Sequence, residues 1–118
     1  MKKITIDGTV YVPESEKVQD ENGGIYSIVR TNSAGVFAGY VKERNGQEVT
    51  LTEATRLWKW SGAFTLSQIS IHGVQDPENC KFALTVDEIL LLQAIEIIPC
   101  TEIARNSIDN VTKHEYKA

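Results

Sequence analysis

The side chains of this sequence that could do chemistry are cations and aromatics rather than nucleophiles or bases. Arg30, Arg56 and Arg105 each fall inside a stretch of regular periodicity instead of a charged run. An arginine so placed must pair with an acid or present its planar fork to a ligand. Phe82, Trp58 and Trp60 offer flat faces on which a purine could stack. Thr101 opens the last helical stretch, whose free N–H groups and positive dipole end favour phosphate, with Asn106 and Ser107 about a turn further in. Asn32-Ser33-Ala34-Gly35 is a turn of small residues between two strands, a place where backbone N–H groups can face a ligand. The same residues also admit a plain structural reading: aromatics in the core, arginines paired with Glu48, Glu53 or Glu96, and an ordinary tight connection at 32–35.

Catalytic and metal-binding patterns are missing. His72 and His114 have no cysteine or carboxylate at metal-ligand spacing, and Cys80 and Cys100 lie 20 apart without CxxC spacing, so they read as buried thiols. There is no GxGxxG or GxxxxGKS loop, no nucleophile elbow and no HExxH. Asp87 and Glu88 are adjacent acids at a strand entrance, which reads as a solvated end rather than an acid/base couple. The expectation is a protein without metal, cofactor or catalysis.

The element that organises the chain is Val36 to Trp60. Two apolar-rich runs flank Arg44-Asn45-Gly46-Gln47, and Asn-Gly tolerates the positive φ of a type I′ hairpin turn. In its second arm, period-two geometry puts Arg56, Trp58 and Trp60 on one face and Leu57 and Lys59 on the other, and the first face is either core or binding surface.

Before this hairpin, Ile4, Ile6, Val10 and Val12 alternate about Asp7-Gly8 as an opening hairpin closed by Pro13. The charged 14–24 stretch reads as a mobile loop, and 25–31 as a strand. After it, Leu66, Ile69 and His72 predict two helical turns capped by Thr65 or Ser67 and ended by Gly73, and 74–84 is expected to be irregular. The apolar run Glu88 to Ile98 reads as one strand, buried on both faces or at a subunit interface, with a helix as the competing reading. Thr101 then begins a helix burying Ile103, Ala104, Ile108 and Val111, and 112–118 is expected to fray. The fold class is α+β: a small antiparallel β-sheet core with a short mid-chain helix and a C-terminal helix.

Composition sets the outer limits. The 118 residues are 42% hydrophobic, enough for one domain that buries roughly two-thirds of its unfolded surface. Twelve basic against 16 acidic residues give a charge of −4, which argues against a duplex nucleic-acid binder needing a broad basic face. No apolar run is long enough to span a membrane and none follows Met1-Lys2-Lys3 as in a signal peptide, so the expected compartment is the cytoplasm.

Residues 26–31 and 33–39, with Arg56-Leu57-Trp58, Leu66-Ser67-Gln68, Asn79-Cys80-Lys81-Phe82 and Glu96-Ile97-Ile98-Pro99-Cys100-Thr101-Glu102, resemble a family of small phage and prophage proteins, mostly of unknown function. The likeness runs from Tyr26 to Ile108 and leaves the N-terminal arm unmatched. It extends to the Thoeris anti-defence sponges, which sequester cyclic ADP-ribose signals and in some cases cyclic oligonucleotides. That resemblance implies a host-cytoplasmic homodimer or larger assembly that captures a nucleotide signal without cleaving it. Phe82 is then expected to stack on adenine, Arg56 and Arg105 to contact phosphate or ribose, and Asn32, Ser33, Ala34 and Gly35 to supply backbone donors, with Arg30 and Asn106 beside them. The alternative is a phage regulatory or structural protein that meets a host factor through the Trp58 and Trp60 face.

Overall fold

The computed structural model describes residues 4–6, 9–11 and 18–114. Nine strands and two helices follow in the order β1 (Ile4–Ile6), β2 (Thr9–Tyr11), β3 (Ile25–Thr31), β4 (Val36–Asn45), β5 (Glu48–Lys59), α1 (Leu66–His72), β6 (Lys81–Ala83), β7 (Val86–Leu91), β8 (Ala94–Pro99), α2 (Glu102–Asp109) and β9 (Lys113–His114). β1 and β2 pair as a separate hairpin. The other seven form one sheet in the order β8-β3-β4-β5-β6-β9, with β7 beside the first half of β5. All its pairings are antiparallel except β6 with β9. The α+β expectation therefore holds, with one parallel pair added to the antiparallel core.

β7 and β8 are joined by only Leu92 and Gln93, yet they lie on opposite sides of the β3-β4-β5 core. The sheet must therefore curl until its flanks meet, and the Ala94 N–H donates to Gln47 O at 2.9 Å where they do. Irregularities in the β4–β5 register at Ala38/Tyr40 and Val41/Glu43 supply the bend. Gly39 lies inside it, where a Cβ would stand 3.0 Å from Thr52 O and 3.1 Å from Ala54 Cα.

Curling divides the core in two. Val29, Phe37, Val49, Leu51, Ala54, Leu91 and Ala94 fill the inside of the curl. On the other face the helices cover a cluster that includes Tyr26, Ile28, Leu57, Phe82, Ile69 and Ile108. Alternation in β3 serves both, since Tyr26 and Ile28 point to the helices and Val29 to the interior. Each helix begins on a threonine: Thr65 Oγ1 accepts from Gln68 N and Thr101 Oγ1 from Ala104 N, both at 3.1 Å. Thr101 Oγ1 also donates to Ile71 O at 2.7 Å, tying the end of α1 to the start of α2.

Several expectations are corrected. The two-residue loop of the central hairpin is Gly46-Gln47, with Asn45 paired to Glu48. Only Gly46 of the two has positive φ, the type II′ pattern in place of I′ on Asn45-Gly46. The apolar run 88–98 is not one strand: Leu92-Gln93 breaks it, and Leu90, Leu92 and Ile95 are exposed. Within 74–84, β6 forms because Phe82 pairs with Leu57 across the sheet. Ile103 is exposed and Val111, though buried, lies beyond the end of α2, so Ala104 and Ile108 form the buried stripe of the last helix.

Two stretches read as mobile are partly described. Residues 14–17 and 115–118 lie outside the described residues. From Val18 the chain is tied down: Val18 O accepts Tyr26 N at 2.8 Å, and the Asp20 carboxylate accepts from Asn22 N and Gly24 N at 3.0 and 2.7 Å. At the other end β9 pairs with β6, and Lys113 Nζ donates to the carbonyls of Ile108 and Val111, satisfying the end of α2.

Burial on the helix side has a measurable consequence. Desolvation pushes the Cys100 thiol up from its ordinary 9.0 to about 12, and burial, then the Asp109 charge, raises the Tyr26 phenol as well. A folded-state pKa above the unfolded one means stability fully present below the unfolded value and lost as pH rises toward the folded value. The melting temperature should fall progressively from pH 9.0 toward 12, and Cys100→Ala should flatten part of that slope. A wild-type curve that stays level through this range would contradict the assignment.

Candidate functional site

Arg56 lies opposite Phe37 in the β4–β5 pair, and its guanidinium carbon sits 4.8 Å from the centre of that ring. The ring is itself buried, so it fixes the arginine from below while the charged end stays exposed. Ion pairs among the described residues join Arg30 to Glu96, Lys42 to Glu88 and Arg105 to Asp109, and none involves Arg56.

Arg56 opens into a concavity of about 360 Å³ between the β3–β4 turn and the β7–β8 corner. Thr31, Ser33 and Ala34 form one wall, and Leu90, Leu92 and Gln93 belong to the other. The turn is held tightly. Thr31 N and Thr31 Oγ1 both donate to Gly35 O, at 3.0 and 2.8 Å, and Ala34 N donates to Thr31 Oγ1 at 2.9 Å. Gly35 closes it at φ +99°, a left-handed conformation that favours glycine. Gln93 joins the walls, its carbonyl accepting from Asn32 N at 2.9 Å and its Oε1 from Ser33 Oγ at 3.0 Å.

The concavity presents one guanidinium, hydroxyls, an amide and apolar walls, with no imidazole, thiol or carboxylate in its lining. That set can attract and orient an anion. A larger hollow of about 500 Å³ lies between the hairpin tip and β8, but its lining includes the Glu96 carboxylate, which holds Arg30 at 3.4 Å, beside Arg44, whose Nε donates to Gly46 O at 3.1 Å.

Of the residues singled out in the sequence, the fold brings together Arg56, Ser33 and Ala34, with Asn32 and Gly35 in the same turn. The backbone donors of Asn32 and Ala34 are already spent on Gln93 and Thr31. Phe82 is not at the site. It is fully buried on the helix side with Lys113 Nζ 5.8 Å from its ring centre, so no face is left for a base. Arg105 and Asn106 lie on α2, across the sheet from Arg56, and Arg105 contacts Asp109 at 3.4 Å with its Nε buried and unbonded. Arg30 contacts Glu96 instead of the concavity.

Thr31, Leu90, Leu92 and Gln93 were not singled out. The signal for Gln93 was present, because it is the lone polar residue in Ile89-Leu90-Leu91-Leu92-Gln93-Ala94-Ile95. A polar break in an apolar run marks a corner.

No curated protein and no solved structure matches this chain. No helix among the described residues is long and apolar enough to cross a membrane. Residues 24–108, well over half of the sequence, match the family described as a domain of unknown function (DUF6948). By that match the chain belongs to the DUF6948 family.

Proposed function

We propose that this domain is a non-catalytic binding protein for a small nucleotide-type anion, held in the concavity between the β3–β4 turn and the β7–β8 corner. The observation that carries this reading is Arg56: a cation fixed on the Phe37 ring, with no carboxylate partner among the described residues, at the opening of an apolar hollow. A phosphate on Arg56 is the contact that gives such a site its affinity. With Phe82 in the core, the apolar walls at Leu90 and Leu92 replace it as the surface for the base. Together with the sequence resemblance, this supports a phage anti-defence protein that sequesters a cyclic ADP-ribose type of signal without cleaving it.

The test is calorimetric titration with a cyclic ADP-ribose isomer, followed by heat denaturation and chromatography of the released nucleotide. Arg56→Ala should weaken binding by about 10- to 100-fold, the loss of one charge-assisted hydrogen-bonding group, while the melting curve stays cooperative. The captured nucleotide should return unmodified. If wild type binds no cyclic nucleotide, or Arg56→Ala binds as tightly as wild type, the reading fails. The exposed Leu90 and Leu92 then favour a protein partner on this face.

A further inference from the structure

β5 and β6 meet at a register irregularity. Leu57 lies opposite Phe82 and Lys59 opposite Lys81, so Trp58 is the additional residue of a β-bulge. Bulges re-aim side chains and leave two residues facing one. Here they gather Trp58, which is 68% exposed, with the exposed Lys59 and Lys81. Lys81 Nζ stands 5.7 Å from the Trp58 ring centre.

As pure structure this arrangement is only partly compensated, by the cation–π contact of Lys81 with Trp58. Like charges directly opposite in an antiparallel pair repel, and neither lysine takes part in an ion pair among the described residues. A large aromatic is left in water beside them. All three costs are offset if an anion with a flat face sits there, since phosphate neutralises both lysines and a ring stacks on the indole. The chain carries a net charge of −4, so the attraction must come from this local pair of lysines and not from the protein as a whole.

We propose that the β5–β6 bulge is a second anion site, which takes a nucleoside phosphate by stacking the base on Trp58 and lodging the phosphate between Lys59 and Lys81. It is independent of the Arg56 concavity, because none of these three residues lines that hollow. Neither a nucleoside nor phosphate alone satisfies both halves of the site.

Fluorescence titration of the full chain with AMP, adenosine and inorganic phosphate tests this, since Trp58 is the more exposed of the two tryptophans. AMP should quench saturably and bind about tenfold or more tighter than either fragment. A Lys59→Gln/Lys81→Gln double variant should weaken AMP by about tenfold or more, and Trp58→Leu should remove the saturable quench. Melting in low salt gives a second readout: Lys59→Gln, which keeps the Lys81–Trp58 contact, should melt above wild type without anion, and added phosphate should close that gap. The proposal is overturned if AMP binds no better than phosphate, if the double-lysine variant or Trp58→Leu responds like wild type, or if Lys59→Gln melts no higher than wild type. A failed cyclic ADP-ribose titration with this AMP response intact would remove the concavity reading alone.

Discussion

Phe82→Ala should destabilise the domain by about 3 to 5 kcal/mol, the cost of emptying a fully buried aromatic site. Phe82 has no exposed surface and belongs to the same cluster as Leu57, Ile69, Ala104 and Ile108, so it joins the sheet to both helices. β6 is only three residues long, and Phe82 is its central residue and its one fully buried side chain. Removing the ring therefore also takes away the reason for β6 to pair with β5 and for β9 to pair with β6. Against a total stability of about 5 to 15 kcal/mol for an ordinary domain, that is about a fifth or more of what holds the fold. Urea denaturation should show a much lower midpoint for Phe82→Ala, while Trp58→Ala, on the open face, should stay within about 0.5 kcal/mol of wild type. Equal midpoints for Phe82→Ala and wild type would show that the ring is not a core residue.

The contrast between these aromatics marks where sequence reasoning reached its limit. Period-two alternation correctly separated Trp58 from Leu57, because side-chain direction along a strand is a local property, but it failed past the bulge, where Trp60 packs against the helix-side cluster with Leu57 instead of sharing a face with Trp58. It could not say which face the helices would cover, and that choice put Leu57 and Phe82 in the core and left Arg56 and Trp58 outside. Arg105 and Asn106 were grouped with Arg56 for the same reason: their chemistry matches, but α2 packs on the other side of the sheet. Features fixed within a few residues were legible, including the Thr65 and Thr101 caps, Gly73 at the end of α1 and both arms of the central hairpin. The curl that carries β8 across to β3 depends on pairings between residues far apart in the chain, such as Arg30 with Glu96 and Thr31 with Ala94, and no local pattern encodes it. The same curl builds the concavity, so its turn and its arginine could be named from the sequence while its far wall could not.

Gly73→Ala should be almost as damaging as the loss of Phe82, although it adds only one carbon. Gly73 ends α1 at φ +75°, donating its N–H to Ile69 O at 2.8 Å, and a side chain in that left-handed conformation costs about 1 to 3 kcal/mol. The new Cβ would also collide with Cβ and Oγ of Ser107 on α2. Ser107 cannot yield freely, because its hydroxyl accepts from Val74 N at 3.0 Å and donates to Val74 O at 3.2 Å. Displacing it sacrifices two hydrogen bonds worth about 1 kcal/mol each and separates the helices that cover Phe82. The combined loss should reach about 3 to 5 kcal/mol, whereas Gly35→Ala, with positive φ but open space around it, should lose only the conformational part. Denaturation midpoints of the two variants separate strain from collision. In a Ser107→Gly background, Gly73→Ala should cost less than it does in wild type, since the clashing atoms are gone while the φ strain remains. Equal losses in Gly73→Ala and Gly35→Ala would mean that α1 and α2 do not approach as closely at this point as the packing requires.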